Sequence, residues 1–145
     1  MFDIFGEFNT AEELNQAAHG LWREEDYDNI LVLAKENGID EEIAQAYTDG
    51  LIPVIVDTMS AAIGKLTVEK EKISSKMPVR PIVDYLSSLC MDDSFAAIVR
   101  SKEKNLKACI DSVEKKCRDE CARTKEQYIA DMTVFKWAKA YYMEG

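Results

Sequence analysis

The sequence predicts an all-α protein, a compact bundle of about seven or eight helices. Apolar residues recur every three or four positions through most of the chain, which is the spacing of one buried helix face. Capping residues, glycines and prolines separate these stretches from one another. No stretch combines strict apolar–polar alternation with β-branched residues, the pattern that indicates a strand. With 145 residues, the chain has the size of one domain and can bury a core without disulfides.

The first two helices are predicted from their capping residues. Thr10 and Glu13 form a capping box, in which the Thr10 hydroxyl accepts from the Glu13 amide and the Glu13 carboxylate reaches back to the Thr10 amide. We expect this helix to end near Gly20. Asp26 is expected to cap a second helix. The buried stripe of that helix is predicted to be Tyr27, Ile30, Leu31 and Ala34.

A tight turn is predicted to join the second helix to a third. Asn37-Gly38 ends the second helix, because glycine readily adopts the left-handed conformation that a helix C-terminus needs. Asp40 can cap a third helix from Glu41 to Asp49, which stops at Gly50. The two helices form an acidic αα-hairpin.

A fourth helix is predicted to occupy the centre of the core. Pro53 suits its first turn. Its apolar face would comprise Ile52, Ile55, Val56, Met59, Ile63 and Leu66. Two prolines in the following Met77-Pro78-Val79-Arg80-Pro81 argue against helix over residues 77–81. We therefore expect a single helical domain over residues 1–145 with a hinge at 77–81.

Four further helices complete the prediction. A fifth is centred on Ile82 to Leu89, and Asp92 caps a sixth. A long, highly charged helix runs from about Asn105 to Tyr128, with its apolar residues on one side. Thr133 is expected to cap the last helix.

The charge is distributed unevenly along the chain. Residues 1–60 contain 14 Asp and Glu against two Lys and Arg, a balance of −12, whereas the remaining 85 residues balance at +3. An acidic surface repels nucleic-acid phosphates and attracts basic protein surfaces. Direct nucleic-acid binding is therefore disfavoured, and a protein partner with a basic surface is favoured. Solubility alone is the alternative explanation of the acidic charge.

The sequence contains no recognisable catalytic, cofactor or metal motif. Cys117 and Cys121 are four residues apart, a spacing that suits zinc if another helix supplies ligands, but no Cys-x-x-Cys pair is present. Buried free thiols are the simpler interpretation of the four cysteines. His19 is the only histidine, and no local motif gives it a catalytic partner. We expect a non-enzymatic protein without a cofactor or a metal.

The N-terminal residues and the hydropathy predict a cytoplasmic protein. No apolar run approaches the 18 residues that suggest a membrane span. The apolar N-terminus is short and acidic and lacks a cleavage site typical of secretory signals.

Two groups of residues are candidates for protein binding. The αα-hairpin is expected to gather carboxylates and two aromatic residues on one surface. These residues are Trp22, Glu24, Glu25, Asp26, Tyr27, Asp28, Glu41, Glu42 and Asp49. The second group is terminal and comprises Trp137, Tyr141, Tyr142 and Met143. The alternative interpretation is that Trp22, Tyr27 and Trp137 pack in the core.

Several stretches resemble a known pool of proteins. They are Asn9-Thr10-Ala11-Glu12-Glu13-Leu14-Asn15, Leu33-Ala34-Lys35-Glu36-Asn37-Gly38-Ile39-Asp40, Ala61-Ala62-Ile63-Gly64-Lys65-Leu66 and Ala140-Tyr141-Tyr142-Met143-Glu144-Gly145. With these, the chain resembles small acidic accessory proteins of bacterial conjugative elements and prophages, a pool that includes anti-CRISPR inhibitors of Cas nucleases. The resemblance implies a non-enzymatic inhibitor that binds a Cas effector and blocks guide, target or PAM access. It assigns no site residue.

A different class of function is also open. The chain is alternatively a helical structural or adaptor module of a mobile element. Such a module would self-associate through the Pro78 and Pro81 hinge and the long charged helix. The sequence alone leaves both functions open.

Overall fold

The computed structural model describes residues 5–125 and 129–144. Over these residues the chain is all-α, with eight helices and no strand, which confirms the predicted fold class. The helices are α1 (Ala11–Arg23), α2 (Tyr27–Glu36), α3 (Glu41–Thr48), α4 (Thr58–Glu71), α5 (Val79–Leu89), α6 (Asp93–Arg100), α7 (Leu106–Thr124) and α8 (Asp131–Met143).

The start of α1 is capped nearly as predicted. The Thr10 hydroxyl accepts from the Glu13 amide at 3.1 Å. The Glu13 carboxylate accepts from the Asn9 amide at 3.0 Å, one residue before the predicted Thr10 amide. The predicted end near Gly20 is wrong, since α1 runs through Gly20 to Arg23. A glycine late in a helix lowers its stability without ending it.

The turn between α2 and α3 has the predicted geometry. Gly38 has φ +70°, and the Ile39 amide donates to the Ala34 carbonyl at 2.8 Å. The Gly38 amide donates to the Lys35 carbonyl at 3.3 Å, which completes a Schellman motif.

The side-chain caps predicted for α2 and α3 are wrong. Asp26 and Asp40 occupy the N-cap positions, but neither side chain accepts a hydrogen bond from a helix amide. The Asp26 carboxylate accepts instead from the Asn29 side-chain amide at 2.8 Å. The buried stripe of α2 also differs from the prediction, because Leu33 is buried and Tyr27 is exposed.

The predicted start of α4 is wrong. Residues 51–57 are not helical, and α4 begins at Thr58 with its first turn capped by Asp57, whose carboxylate accepts from the Ser60 amide at 2.7 Å. Ile55 and Val56 are buried as predicted, but outside a helix. Asn15 on α1 makes this arrangement stable, because its side chain accepts from both amides and donates to the Val56 carbonyl. Asn15 replaces the bonds that a helix would have provided.

The centre of the fold is α4, as predicted. One apolar cluster packs α1, α2 and α3 against residues 55–61, and the other packs α4 to α8 together. The two clusters meet on α4 at Ala61 and Ala62. Gly64 lets the α2–α3 turn approach the backbone of α4, since a Cβ at Gly64 would lie 2.3 Å from the Asn37 carbonyl oxygen.

The prediction that residues 77–81 are not helical is wrong in part. Pro78 is the N-cap of α5, and Pro81 lies in its first turn. The amides of a first helical turn have no partner within the helix, so proline is tolerated there. The segment is flanked by α4 and α5, which pack against each other in one apolar cluster. The hinge itself stays a prediction.

Of the two caps predicted for the later helices, the one at Asp92 is confirmed. Asp92 caps α6 by accepting from the Ser94 amide, and Asn105 caps α7 by accepting from the Ala108 amide, each at 2.8 Å. The cap predicted at Thr133 is wrong, because α8 begins at Asp131. The last described helical residue of α7 is Thr124, and the predicted end at Tyr128 lies outside the described residues. In the described part of the chain, no helix is long and apolar enough to cross a membrane.

Candidate functional site

The corner between α1 and α2 holds a glutamate in a glycine-like conformation. The Asp26 amide donates to the Leu21 carbonyl at 2.9 Å and the Glu25 amide to the Trp22 carbonyl at 3.1 Å, so α1 ends in a Schellman motif. The left-handed residue of this motif is Glu25, with φ +61°. A side chain at such a position costs about 1 kcal/mol relative to glycine. Local backbone energetics therefore disfavour the residue that is present.

Trp22 joins this corner to the end of α3. Its indole N–H donates to the Thr48 carbonyl at 3.1 Å, and the ring stacks beside His19 with centroids 6.4 Å apart. The side chain is still 38% exposed. The indole is thus held in a fixed position, its N–H is already used, and the exposed part of its ring is available to a partner.

Two further carboxylates lie at the C-terminal ends of helices beside Trp22. Glu24 is the C-cap of α1, and Asp49 is the C-cap of α3. Both side chains are exposed. The C-terminus of a helix carries a partial negative charge, so an acidic side chain there opposes the helix dipole by about 0.3–1 kcal/mol. Lysine or arginine would stabilise either position.

An exposed leucine adjoins the same end of the hairpin. The Leu51 amide donates to the Ala46 carbonyl at 2.9 Å, which closes a Schellman motif at the end of α3, with Gly50 at φ +77°. The residue at this position commonly packs onto its helix. Leu51 is nevertheless 75% exposed. Sequence reasoning missed Leu51, because the pattern around Gly50 predicts a buried side chain.

Neighbourhood in the chain and the bond from Trp22 to Thr48 place most of the predicted binding residues at one end of the hairpin. We name one region the hairpin-end surface. It comprises Trp22, Glu24, Glu25, Tyr27, Asp28, Asp49 and Leu51. Asp26 lies in the same corner, half-buried and bonded to Asn29.

The remaining two predicted binding residues lie elsewhere. Glu41 and Glu42 are in the first turn of α3, at the opposite end of that helix from Asp49. Eight residues of helix separate the two ends by roughly 10 Å. Glu41 lines a shallow groove between the α2–α3 turn and α4 instead. The acidic residues of the hairpin therefore form two groups.

The terminal aromatic residues are mainly part of the core. Tyr142 is 1% exposed, and Trp137 and Tyr141 pack partly buried against the C-terminal apolar cluster. Within the described residues, the Tyr142 hydroxyl has no hydrogen-bond partner. Burial raises the pKa of this phenol far above its usual value. Of this group, only Met143 is largely exposed, at 55%.

The four cysteines are free thiols. Burial raises the pKa of the Cys90 thiol to about 11 and that of the Cys109 thiol to about 12. Cys117 and Cys121 are partly exposed on α7. Residues 5–125 and 129–144 contain no group of three or more His, Cys, Asp or Glu side chains placed to hold a metal ion.

A second polar region lies between the two apolar clusters and was not predicted. Lys65 on α4 and Arg100 at the end of α6 are only 5% and 3% exposed. The Lys65 ammonium donates to the Ser101 and Lys104 carbonyls, both at 2.6 Å, and pairs with the Glu7 carboxylate at 3.1 Å. Lys65 thereby fixes the loop after α6 and the segment before α1.

Arg100 connects three separate parts of the chain. Its guanidinium donates to the Phe8 carbonyl at 3.0 Å, to the Ala61 carbonyl at 3.3 Å and to the Asn37 side-chain carbonyl at 3.0 Å. Burial lowers the pKa of Arg100, and the negative charges of Glu7, Glu69 and Glu13 oppose that shift. Helical periodicity carries no signal for this region, because Lys65 and Arg100 lie at positions typical of ordinary helix-surface residues.

Comparisons with known proteins return no match. Protein-family models, curated proteins and solved structures were all searched.

Proposed function

We propose that this protein is a non-enzymatic inhibitor that binds a basic surface of another protein through the hairpin-end surface and acts by occupying it. One observation carries the proposal. The helix dipole disfavours a carboxylate at Glu24 and Asp49, and the left-handed backbone disfavours one at Glu25. Glu24 and Glu25 follow Trp22 within three residues, and Asp49 follows Thr48, whose carbonyl accepts from the Trp22 indole. Residues that break local folding preferences tend to mark functional positions.

The chemistry of this surface suits a cationic partner. Exposed carboxylates steer a positively charged macromolecule toward the surface and raise the rate of association. Tryptophan is among the residues that contribute most to binding energy at protein interfaces. An indole ring also attracts lysine and arginine side chains through its π-electrons. Trp22 therefore supplies the anchor, and the carboxylates supply the steering.

The resemblance to anti-CRISPR proteins makes a Cas nuclease the first partner class to test. Such a nuclease holds its guide–target duplex in a positively charged channel. An acidic surface that enters the channel would compete with the nucleic acid there. Free thiols fit the cytoplasmic location that this partner implies.

The test measures DNA cleavage by a panel of Cas nucleases in the presence of the purified chain. The double variant Glu24→Lys/Asp49→Lys reverses two charges at helix C-termini, so the helix dipole favours its folding. Asp84→Lys/Glu103→Lys is the matched control, because it makes the same charge change at two exposed positions on other elements. The unaltered chain and the control are expected to inhibit at least one nuclease, and the Glu24/Asp49 variant to lose most of that inhibition.

Two results would count against this proposal. Equal inhibition by both double variants would remove the hairpin-end surface from the mechanism. If the unaltered chain neither binds nor inhibits any nuclease in the panel and forms a robust homo-oligomer by light scattering, the alternative of a self-associating structural or adaptor module is favoured.

A further inference from the structure

Arg100 is a buried cation without a carboxylate in contact. Its three hydrogen bonds all go to uncharged oxygens, two from the main chain and one from Asn37. In the described part of the chain, Arg100 forms no ion pair within 4 Å. Charged side chains are almost never fully buried unless they are paired. Each terminal guanidinium nitrogen also carries a second hydrogen beyond the one used.

Arg100 is one of the residues that line a cavity of about 190 Å³. One water needs roughly 10–15 Å³ by the same measure, so the cavity has room for a polyatomic ligand. Lys72 and Lys102 lie on its exposed rim, and neither ammonium forms an ion pair within the described residues. With Lys65 and Arg100, they bring four cationic side chains to one cavity in a chain of net charge −9.

Three carboxylates also line the cavity, and each has a partner. Glu7 pairs with Lys65, Glu36 accepts from the Phe5 amide at 3.3 Å, and Glu69 accepts from the Leu106 amide at 3.4 Å. Burial raises the pKa of Glu69 and so favours its neutral form, while the charge of Lys65 opposes this shift. The cationic side chains on the cavity wall therefore outnumber the anionic ones by at least one.

We propose that this cavity binds a small tetrahedral oxyanion between Arg100 and the rim lysines Lys72 and Lys102. A guanidinium with two unused N–H groups matches the spacing of phosphate or sulfate oxygens. The lysines approach from the solvent side as mobile point charges. The main-chain bonds of Arg100 hold the guanidinium in place before the anion arrives, so binding requires little ordering of this residue.

The bound oxyanion would also link the two halves of the fold. Arg100 bonds to the N-terminal segment at Phe8, to α4 at Ala61 and to the end of α2 at Asn37. An anion that neutralises Arg100 stabilises all three connections. The ligand is therefore expected to raise the resistance of the whole chain to unfolding.

The test is thermal unfolding of the full chain with inorganic phosphate or sulfate, against sodium chloride at the same ionic strength and pH. Both oxyanions also stabilise proteins by exclusion from the surface, so variants must separate this effect from binding. Lys72→Gln/Lys102→Gln removes the two rim charges and leaves Arg100 and Lys65 in place. Lys139→Gln, an exposed lysine of α8, is the control for loss of a positive charge.

The unaltered chain and the Lys139 variant are expected to gain about 6 °C in Tm at a phosphate concentration near ten times Kd. The Lys72/Lys102 variant is expected to lose most of that gain, and isothermal titration with phosphate should show one site in the first two proteins. An equal gain in all three proteins, or no gain beyond that of chloride, would overturn the proposal.

Discussion

Gly64 and Gly20 are both helical glycines, and the structure predicts opposite effects when each is replaced by alanine. A Cβ at Gly64 would lie 2.3 Å from the Asn37 carbonyl oxygen and 3.2 Å from that of Gly38. A Cβ at Gly20 would meet no atom within 4 Å. The two substitutions gain the same helix propensity, so the difference between them measures the contact of α4 with the α2–α3 turn.

The expected loss of stability in Gly64→Ala follows from the overlap between the added Cβ and the Asn37 carbonyl oxygen. The clash at Gly64 is about 1 Å and involves main-chain atoms, so α4 must move away from the turn, which costs about 3 kcal/mol, the upper end of the range for overpacking. The movement also strains the bond from Arg100 to the Asn37 side chain. After a gain in helix propensity of up to about 1 kcal/mol, we expect Gly64→Ala to lose about 2 kcal/mol, or roughly 8 °C in Tm. Gly20→Ala should gain about 0.5–1 kcal/mol, or roughly 2–4 °C.

The assay is urea and thermal unfolding of both variants, followed by far-ultraviolet circular dichroism. An unchanged or increased stability of Gly64→Ala would refute the close approach of the turn to α4. The structure leaves the side of α1 at Gly20 open, and a loss of stability in Gly20→Ala would contradict this.

Four further predictions concern individual side chains. Tyr142→Phe removes a buried hydroxyl that has no hydrogen-bond partner within the described residues, so it should raise the free energy of unfolding in urea by about 1 kcal/mol or more. A decrease in that free energy of similar size would show that the hydroxyl is hydrogen-bonded. Glu25→Gly should raise the free energy of unfolding by about 1 kcal/mol, because glycine adopts the left-handed backbone conformation without strain. The same substitution should weaken inhibition of the partner. A lower free energy of unfolding would contradict the left-handed conformation of Glu25. Cys90 and Cys109 should resist thiol reagents in the native protein and react only after unfolding, since both side chains are 0% exposed. The pKa values of these two thiols are raised to about 11 and about 12, so the native state holds their protons more tightly than the unfolded chain does. The stability that the two protonated thiols contribute is therefore complete below about pH 8.5 and declines as the pH rises toward 11. A flat profile of the free energy of unfolding in urea from pH 8 to 11 would contradict this.

Several local signals predicted helix ends correctly, although those at Gly20, Asp26, Asp40 and Thr133 did not. The capping hydroxyl of Thr10, the left-handed Gly38 and the carboxylate cap of Asp92 each act within a few residues, and all are present. The false start of a helix at Pro53 has a different cause. Asn15, about 40 residues away, supplies the hydrogen bonds for residues 55 and 56, and no local pattern reveals that contact.

The candidate sites were predictable only in part. The acidic composition identified the hairpin, and the length of the predicted third helix already places Glu41 and Asp49 at opposite ends of it. The bond from the Trp22 indole to the Thr48 carbonyl, which joins the ends of α1 and α3, has no local signal in the sequence. The burial of Lys65 and Arg100 has no signal in the local sequence, because their partners are distant in the chain. Lys65 contacts residues 7, 101 and 104, and Arg100 contacts residues 8, 37 and 61. Long-range contacts of this kind require the fold to be known first.

The rate of association with the partner tests the role of the hairpin-end surface most directly. We expect Glu24→Lys/Asp49→Lys to bind a responsive Cas nuclease at least about tenfold more slowly than the unaltered chain at low salt, because the steering charges are reversed. The difference should shrink at high salt, where the Debye length falls to about 3 Å at 1 M. Asp84→Lys/Glu103→Lys should slow association less at every salt concentration. Equal association rates for the two double variants would contradict the assignment of this surface.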